Sequence, residues 1–200
     1  MHVDWTVACA AADPWVVVPW SRKDETICYI DLRAAPERLE QIPEAAQYPC
    51  IAKALRRWNQ PDTALFTAKC DIWNYPAKLF DAEDLPGFDY ARGSYIDLLP
   101  INPEIFSSFA ACERQLRIWT EIARSIELPA SRCEWILRPS RIMPSHLPPS
   151  AIAATKSLSR DGFATSLYVW GYGSSQQSAV SAWAAALESL IEPVLRIDRE

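Results

Sequence analysis

The sequence predicts an α+β domain, a mostly antiparallel sheet carrying three helices on one face, and three observations predict it. First, half of the 200 residues are apolar and 22% are charged, with nine Trp, sixteen Pro and only five Gly. That composition is globular, and a chain of this length buries roughly 70% of its unfolded surface in a single domain, 1–200. Second, short β-rich runs alternate with segments of helical spacing along the chain. Third, the chain echoes itself. Tyr29-Ile30-Asp31-Leu32 recurs as Tyr95-Ile96-Asp97-Leu98, and each copy leads into Pro-Glu, then Leu-Arg-x-Trp, then a basic-Cys-acidic triplet. Tyr95 follows Tyr29 by 66 residues, Trp119 follows Trp58 by 61, and Cys133 follows Cys70 by 63.

Trp15 to Trp20 is rich in β-branched and aromatic residues, and Pro19 assigns it to a sheet edge or a strand end. Ser21 to Glu25 reads as a polar turn, and Thr26 to Arg33 as the second strand of a hairpin. Pro49 opens a helix whose stripe is Ile51, Ala54, Leu55 and Trp58, and Asn59-Gln60-Pro61-Asp62 stops it. Residues 64–73 form the next strand, and a long acidic connection, 75–93, leads to a strand over 94–99. Asn102 caps and Pro103 opens one long helix with the stripe Ile105, Phe109, Cys112, Leu116, Trp119, Ala123 and Ile126. Residues 133–138 form a strand. The four prolines of 139–162 mark a covering loop or lid with a short helix over 152–158. Phe163 to Tyr172 is a strand, and Ser174 with Gln177 reads as a capping box. The helix that follows buries Val180, Trp183, Leu187 and Leu190, Pro193 ends it, and 194–197 is a last strand.

The order is one strand followed by three β-α-β units, spanning about 26–73, 94–138 and 163–198. Two such units in series give the split β-α-β order of a ferredoxin-like sheet. A third extends that sheet or closes it around a pseudo-threefold axis, and the sequence leaves both open.

The net charge of −5 and pI near 5.2 argue against nucleic-acid binding, because phosphate neutralisation needs clustered Lys and Arg. No apolar run reaches membrane-spanning length, and no basic region precedes the first apolar stretch, so we expect no membrane partner and a cytoplasmic location. The six cysteines contain no C-x-x-C pair, so we expect reduced thiols, no metal site and no cofactor.

Side chains alternate along a strand, so each strand divides into two faces. One set (Cys28, Ile30, Leu32, Cys70, Ile72, Ile96, Leu98, Cys133, Trp135, Leu137, Leu167, Val169) is apolar and suits the side under the helices. The other carries Tyr29, Asp31, Arg33, Lys69, Asp71, Trp73, Tyr95, Asp97, Arg132, Glu134, Arg138, Tyr168, Trp170 and Tyr172. An antiparallel sheet often leaves one face wet with charges paired across strands. Rings among acids and bases also suit a groove for a polar, partly planar ligand, or a partner's surface.

The expected ligand residues on this face are Tyr29, Asp31, Trp73, Tyr95, Asp97, Arg138, Tyr168, Trp170 and Tyr172. Close approach of carboxylates among Asp31, Asp71, Asp97 and Glu134 raises one pKa and makes an acid-base pair, although Lys69, Arg33, Arg132 and Arg138 share the face and neutralise them as ion pairs. Asp71 and Glu134 are the acid-base candidates, with Lys69 and Arg132 as anion holders. Gly171, Gly173, Ser174 and Ser175 join a strand to a helix N-terminus, where backbone N–H groups bind anions, although Gln176 stands where a dinucleotide fingerprint has glycine. His146, in the Pro-rich loop, is the one histidine placed to serve a nucleophile. We expect a binding or interaction protein that uses the open face, as a homodimer through that face. The alternative is a small-molecule enzyme with its pocket between the face and the 139–162 loop.

Overall fold

The computed structural model describes residues 1–21, 28–76, 87–143 and 159–195. Its elements in order are β1 (His2–Val7), β2 (Val16–Val18), a 3-10 turn (Pro36–Gln41), α1 (Pro43–Gln47), α2 (Pro49–Trp58), β3 (Leu65–Pro76), β4 (Tyr90–Pro100), α3 (Pro103–Phe106), α4 (Phe109–Arg124), β5 (Ser131–Ile142), β6 (Arg160–Gly173) and α5 (Gln176–Leu195). The strands form one six-stranded, mostly antiparallel sheet in the order β1-β5-β6-β4-β3, with β2 beside the far end of β5. Only β1 and β2 pair in parallel, both with β5. Because β4 and β5 both run antiparallel to β6 and flank it, β4-α4-β5 is a β-α-β unit with a strand inserted between its parallel members.

Helices α2, α4 and α5 cover one face. Each presents an apolar stripe at helical spacing, such as Ile51, Ala54, Leu55 and Trp58 on α2 or Cys112, Leu116, Trp119 and Ala123 on α4. These pack on Val3, Ile96, Leu98, Cys133, Trp135, Leu137, Leu167 and Val169 from the strands. The Leu-Arg-x-Trp echo has a physical purpose here. Trp58 and Trp119 each donate an indole N–H, at 3.0 Å, to the Ile191 and Val194 carbonyls near the end of α5. Val194 lies in the last turn, where a helix runs out of its own donors, and Ile191 one turn earlier, so two equivalent tryptophans tie the end of α5 to the neighbouring helices.

Glycine permits the tightest contact. A Cβ on Gly171 would lie 2.0 Å from the Trp183 backbone nitrogen, so α5 rests directly on β6.

Four expectations need correction. The first Tyr-Ile-Asp-Leu copy is no strand: Cys28 makes a lone bridge to Ser21, and 31–34 turn away. The Asp31 carboxylate accepts the Arg33 and Ala34 N–H groups, offering the backbone a local alternative to a ladder. The helix beginning at Pro103 is two, because Ser108 caps α4 separately, accepting from Ala111 N. The cap of α5 is Ser175 with Ser178, one residue beyond the expected pair. Finally, Val194 and Leu195 continue α5 past Pro193, whose missing N–H falls in the last turns. The regular threefold β-α-β order therefore does not carry through the described residues. The expected connections over 75–93 and 139–162 are also shorter than predicted, since 139–142 belong to β5, 160–162 to β6, 75–76 to β3 and 90–93 to β4. The 152–158 helix, His146, residues 144–158 of the loop, residues 196–197 of the last strand and the polar turn over 22–25 lie outside the described residues.

Candidate functional site

On the face away from the helices the register aligns Asp4, Glu134, Tyr168, Tyr95 and Asp71 in one row across all five long strands. Arg132, Trp170, Gly93 and Trp73 make the adjacent row, and Ile136, Ser166 and Asp97 the one on the other side. The rings stack as a layer: Tyr95 on Tyr168 at 5.4 Å, Tyr168 on Trp170 at 5.6 Å, and Trp73 at 6.1 Å from both tyrosines.

The face is not open throughout. β2 pairs with β5, yet two residues beyond it the Trp20 indole donates at 2.8 Å to the Ala68 carbonyl on β3, at the opposite edge. Residues 16–20 therefore strap across one end, where Val18 packs on Leu99, Phe106, Ala68 and Ala164, with Tyr29 alongside. Beside the strap lies a cavity of about 540 Å³. Tyr95, Asp97, Ser166 and Tyr168 line it from the sheet, with Arg138 at its side, Trp20 from the strap and Trp15 and Cys28 from the chain on either side of the strap. Leu32, Ile42, Glu44 and Leu55 line the part that extends toward the helix side.

A β-bulge shapes this floor. Between the Thr67–Leu98 and Cys70–Ile96 pairs, both Ala68 and Lys69 oppose Asp97. Alternation alone gives one side chain per face, whereas the bulge turns two consecutive ones toward the cavity side. Ala68 joins the cluster under the strap, and the Lys69 ammonium sits 5.5 Å from the Trp20 ring centre and 5.8 Å from that of Tyr95. Arg138 pairs in register with Ala164 but donates at 3.2 Å to the hydroxyl of Tyr168, so its guanidinium reaches along β6 past Ser166. Neither Lys69 nor Arg138 makes an ion pair with a carboxylate among the described residues, and the Arg138 Nε is buried without a hydrogen-bond partner.

Asp97 is the buried carboxylate of the described residues, 5% exposed. Its Oδ1 accepts a 2.5 Å hydrogen bond from the Ser166 hydroxyl, the only one it receives among the described residues. Burial pushes its pKa up to about 6, while the Ser166 bond and the charges of Arg138 and Lys69 pull the other way. Desolvation wins because one neutral hydroxyl and two cations outside ion-pair distance replace little of a carboxylate's hydration. The same burial raises the pKa of Tyr95 and Tyr168.

Of the residues expected from sequence, the cavity brings together Lys69, Asp71, Tyr95, Asp97, Arg138 and Tyr168. Asp71 is exposed, its carboxylate accepting from the Ile72 N–H. Glu134 lies two strands beyond Tyr95, so the two acid-base candidates stand roughly 14 Å apart at ordinary strand spacing and do not form a pair. Arg132 lies outside the cavity, bridging Asp4 at 3.3 Å and covering Trp170. Trp73 stacks at the cavity's margin; Trp170 and Tyr172 are buried, Tyr172 against Phe88. Asp31 holds its turn, and Arg33 donates to the carbonyls of Gln60, Pro61 and Thr63 on the helix side. Gly171 and Gly173 are buried against α5, and the Ser175 N–H and hydroxyl are engaged by Ser178 within the cap. Trp20 and Ser166 are not among the residues expected from sequence, although Ser166 follows the period of Tyr168 and Trp170. Cys28, expected under the helices, is instead exposed at the cavity wall because its segment leaves the sheet.

Among the described residues no three metal-ligating side chains come together, and no helix is long and apolar enough to cross a membrane. Comparison with known proteins finds no matching family model, no matching curated protein and no matching solved structure.

Proposed function

We propose that this protein binds a small, partly planar anion in the cavity between the sheet face and the N-terminal strap. The observation that carries it is the pair Lys69 and Arg138, two cations bordering one aromatic-walled cavity, neither in ion-pair contact with a carboxylate of the described residues although Glu44, Asp71 and Asp97 also line it. A guanidinium matches carboxylate or phosphate with a planar fork, and an ammonium supplies a point charge. Tyr95, Tyr168 and Trp20 supply flat apolar walls, and a cavity of about 540 Å³ lies within the range of small-molecule sites. We further read β5-β6-β4-β3 with α4 and α5 as a ferredoxin-like arrangement in which β3, although earlier in the chain, takes the fourth-strand position.

A thermal-shift screen of carboxylates and phosphates against neutral analogues tests the binding. A ligand present at 100 times its dissociation constant adds about 2.7 kcal/mol, a rise of about 5 to 10 °C for a chain of this size. Anions are expected to raise the melting temperature, and Lys69→Met with Arg138→Met to abolish the rise. Shifts produced equally by neutral compounds, or surviving both substitutions, refute the assignment.

A further inference from the structure

A buried carboxylate with one neutral hydrogen bond is costly, and nothing in the fold requires it. An amide at position 97 would keep the Ser166 bond without a charge. The carboxylate nevertheless lies on the cavity floor, opposite a bulge that doubles the side chains facing it and carries Lys69, with Arg138 reaching past Ser166 from the other side. Its Oδ2 accepts no hydrogen bond from a described residue. Building on the anion-binding reading, we propose that Asp97 moves a proton on the bound anion, interconverting keto and enol forms of an oxo acid.

The step balances without any co-reactant. The Asp97 carboxylate takes a proton from the carbon next to the ligand's carbonyl, and the C–H electron pair forms the C=C bond while the carbonyl π pair moves onto oxygen. The enolate then carries one more negative charge than the substrate, and Lys69 and Arg138 are the groups placed to oppose it. The protonated Asp97 returns its proton to the enolate oxygen, giving the enol, or to carbon, regenerating the ketone. A carboxyl group that titrates near neutrality suits both directions, since proton transfer is most efficient when the group's affinity lies near the working pH. Burial raises the Asp97 pKa, and Ser166 from β6, Arg138 from β5 and Lys69 from β3 lower it. The other carboxylates and phenols facing the cavity are Glu44 from α1, Asp71 from β3, Tyr95 from β4 and Tyr168 from β6.

Phenylpyruvate and oxaloacetate are suitable probes, each with exchangeable C–H groups beside a carbonyl. The full chain is mixed with either in D2O, binding is read from ligand line broadening, and loss of the C–H signal is followed by proton NMR. Exchange is expected to exceed the buffer rate and to fall as pH drops below about 6, where Asp97 is protonated. Asp97→Asn is expected to cut it about 100-fold or more while binding persists. Lys69→Met is expected to weaken both binding and exchange. Binding without accelerated exchange, exchange undiminished in Asp97→Asn, or a profile flat between pH 5 and 8 overturns the proton-transfer role and leaves the binding site standing. Failure of both probes to bind overturns the oxo-acid proposal, and the anion-binding reading falls with it where the carboxylate and phosphate screen is negative as well.

Discussion

Replacing Asp97 with Asn should stabilise the protein, increasingly so as pH rises. The ordinary carboxyl pKa of 3.8 is raised to about 6 in the fold, a change of about two pH units. Each unit corresponds to about 1.4 kcal/mol between protonation states, so ionising Asp97 in place costs about 3 kcal/mol. The sign follows from proton binding: between the two pKa values the folded chain holds a proton that the unfolded chain has released, so stability falls as pH climbs. The full benefit is present below pH 3.8 and has gone above pH 6. The Asn side chain keeps an oxygen for Ser166 and never ionises. The Asn variant should match the parent near pH 3.5 and exceed it by up to about 3 kcal/mol at pH 8, or about 6 to 12 °C in melting temperature for a chain of this size. Differential scanning calorimetry of both proteins across that range isolates the effect, since all other carboxylates are shared. A stability difference that is constant with pH, or that shrinks as pH rises, refutes the claim that Asp97 is desolvated.

Gly171→Ala places a methyl group 2.0 Å from the Trp183 nitrogen, forcing α5 off β6; a loss of about 2 to 3 kcal/mol in urea unfolding is expected. Trp119→Phe removes the indole donor from the Val194 carbonyl in the last turn of α5, and Trp58→Phe removes a second donor from that of Ile191; each should cost about 1 to 3 kcal/mol, with amide exchange fastest over the last turn of that helix. Of the six thiols Cys28 is exposed whereas Cys50, Cys112 and Cys133 are buried, so an aromatic disulfide reagent should modify Cys28 first. Anionic ligands occupying the cavity should slow that reaction, because Cys28 forms part of its wall.

Much of the sheet was legible because side-chain alternation is rigid. Once Cys133, Trp135 and Leu137 were assigned to the helix side, Arg132, Glu134 and Arg138 had to point the other way, and the same held for Tyr95 and Asp97 against Ile96 and Leu98. What escaped was set by tertiary contacts. The two Tyr-Ile-Asp-Leu copies are identical, yet the second is β4, flanked by β3 and β6, while the first precedes a turn that Asp31 closes with its own carboxylate. No local signal separates them. The bulge at Ala68–Lys69 breaks the period at the one place where it shapes the cavity, and the strap spans the sheet by pairing with β5 at one end and by the Trp20 indole bond to the Ala68 carbonyl at the other. Carboxylate chemistry was therefore sought at Asp71 and Glu134, on either side of the tyrosine pair, whereas the desolvated acid is Asp97 beneath the strap.

Amide and indole chemical-shift mapping during titration with phenylpyruvate probes the pocket most directly. Saturable shifts gathered at Lys69, Asp97, Ser166, Tyr168 and the Trp20 indole, with α4 unmoved, are the predicted result. Shifts that never saturate, or that gather beneath the helices or along the β1 edge, would contradict the assignment of the strapped sheet face as the binding site.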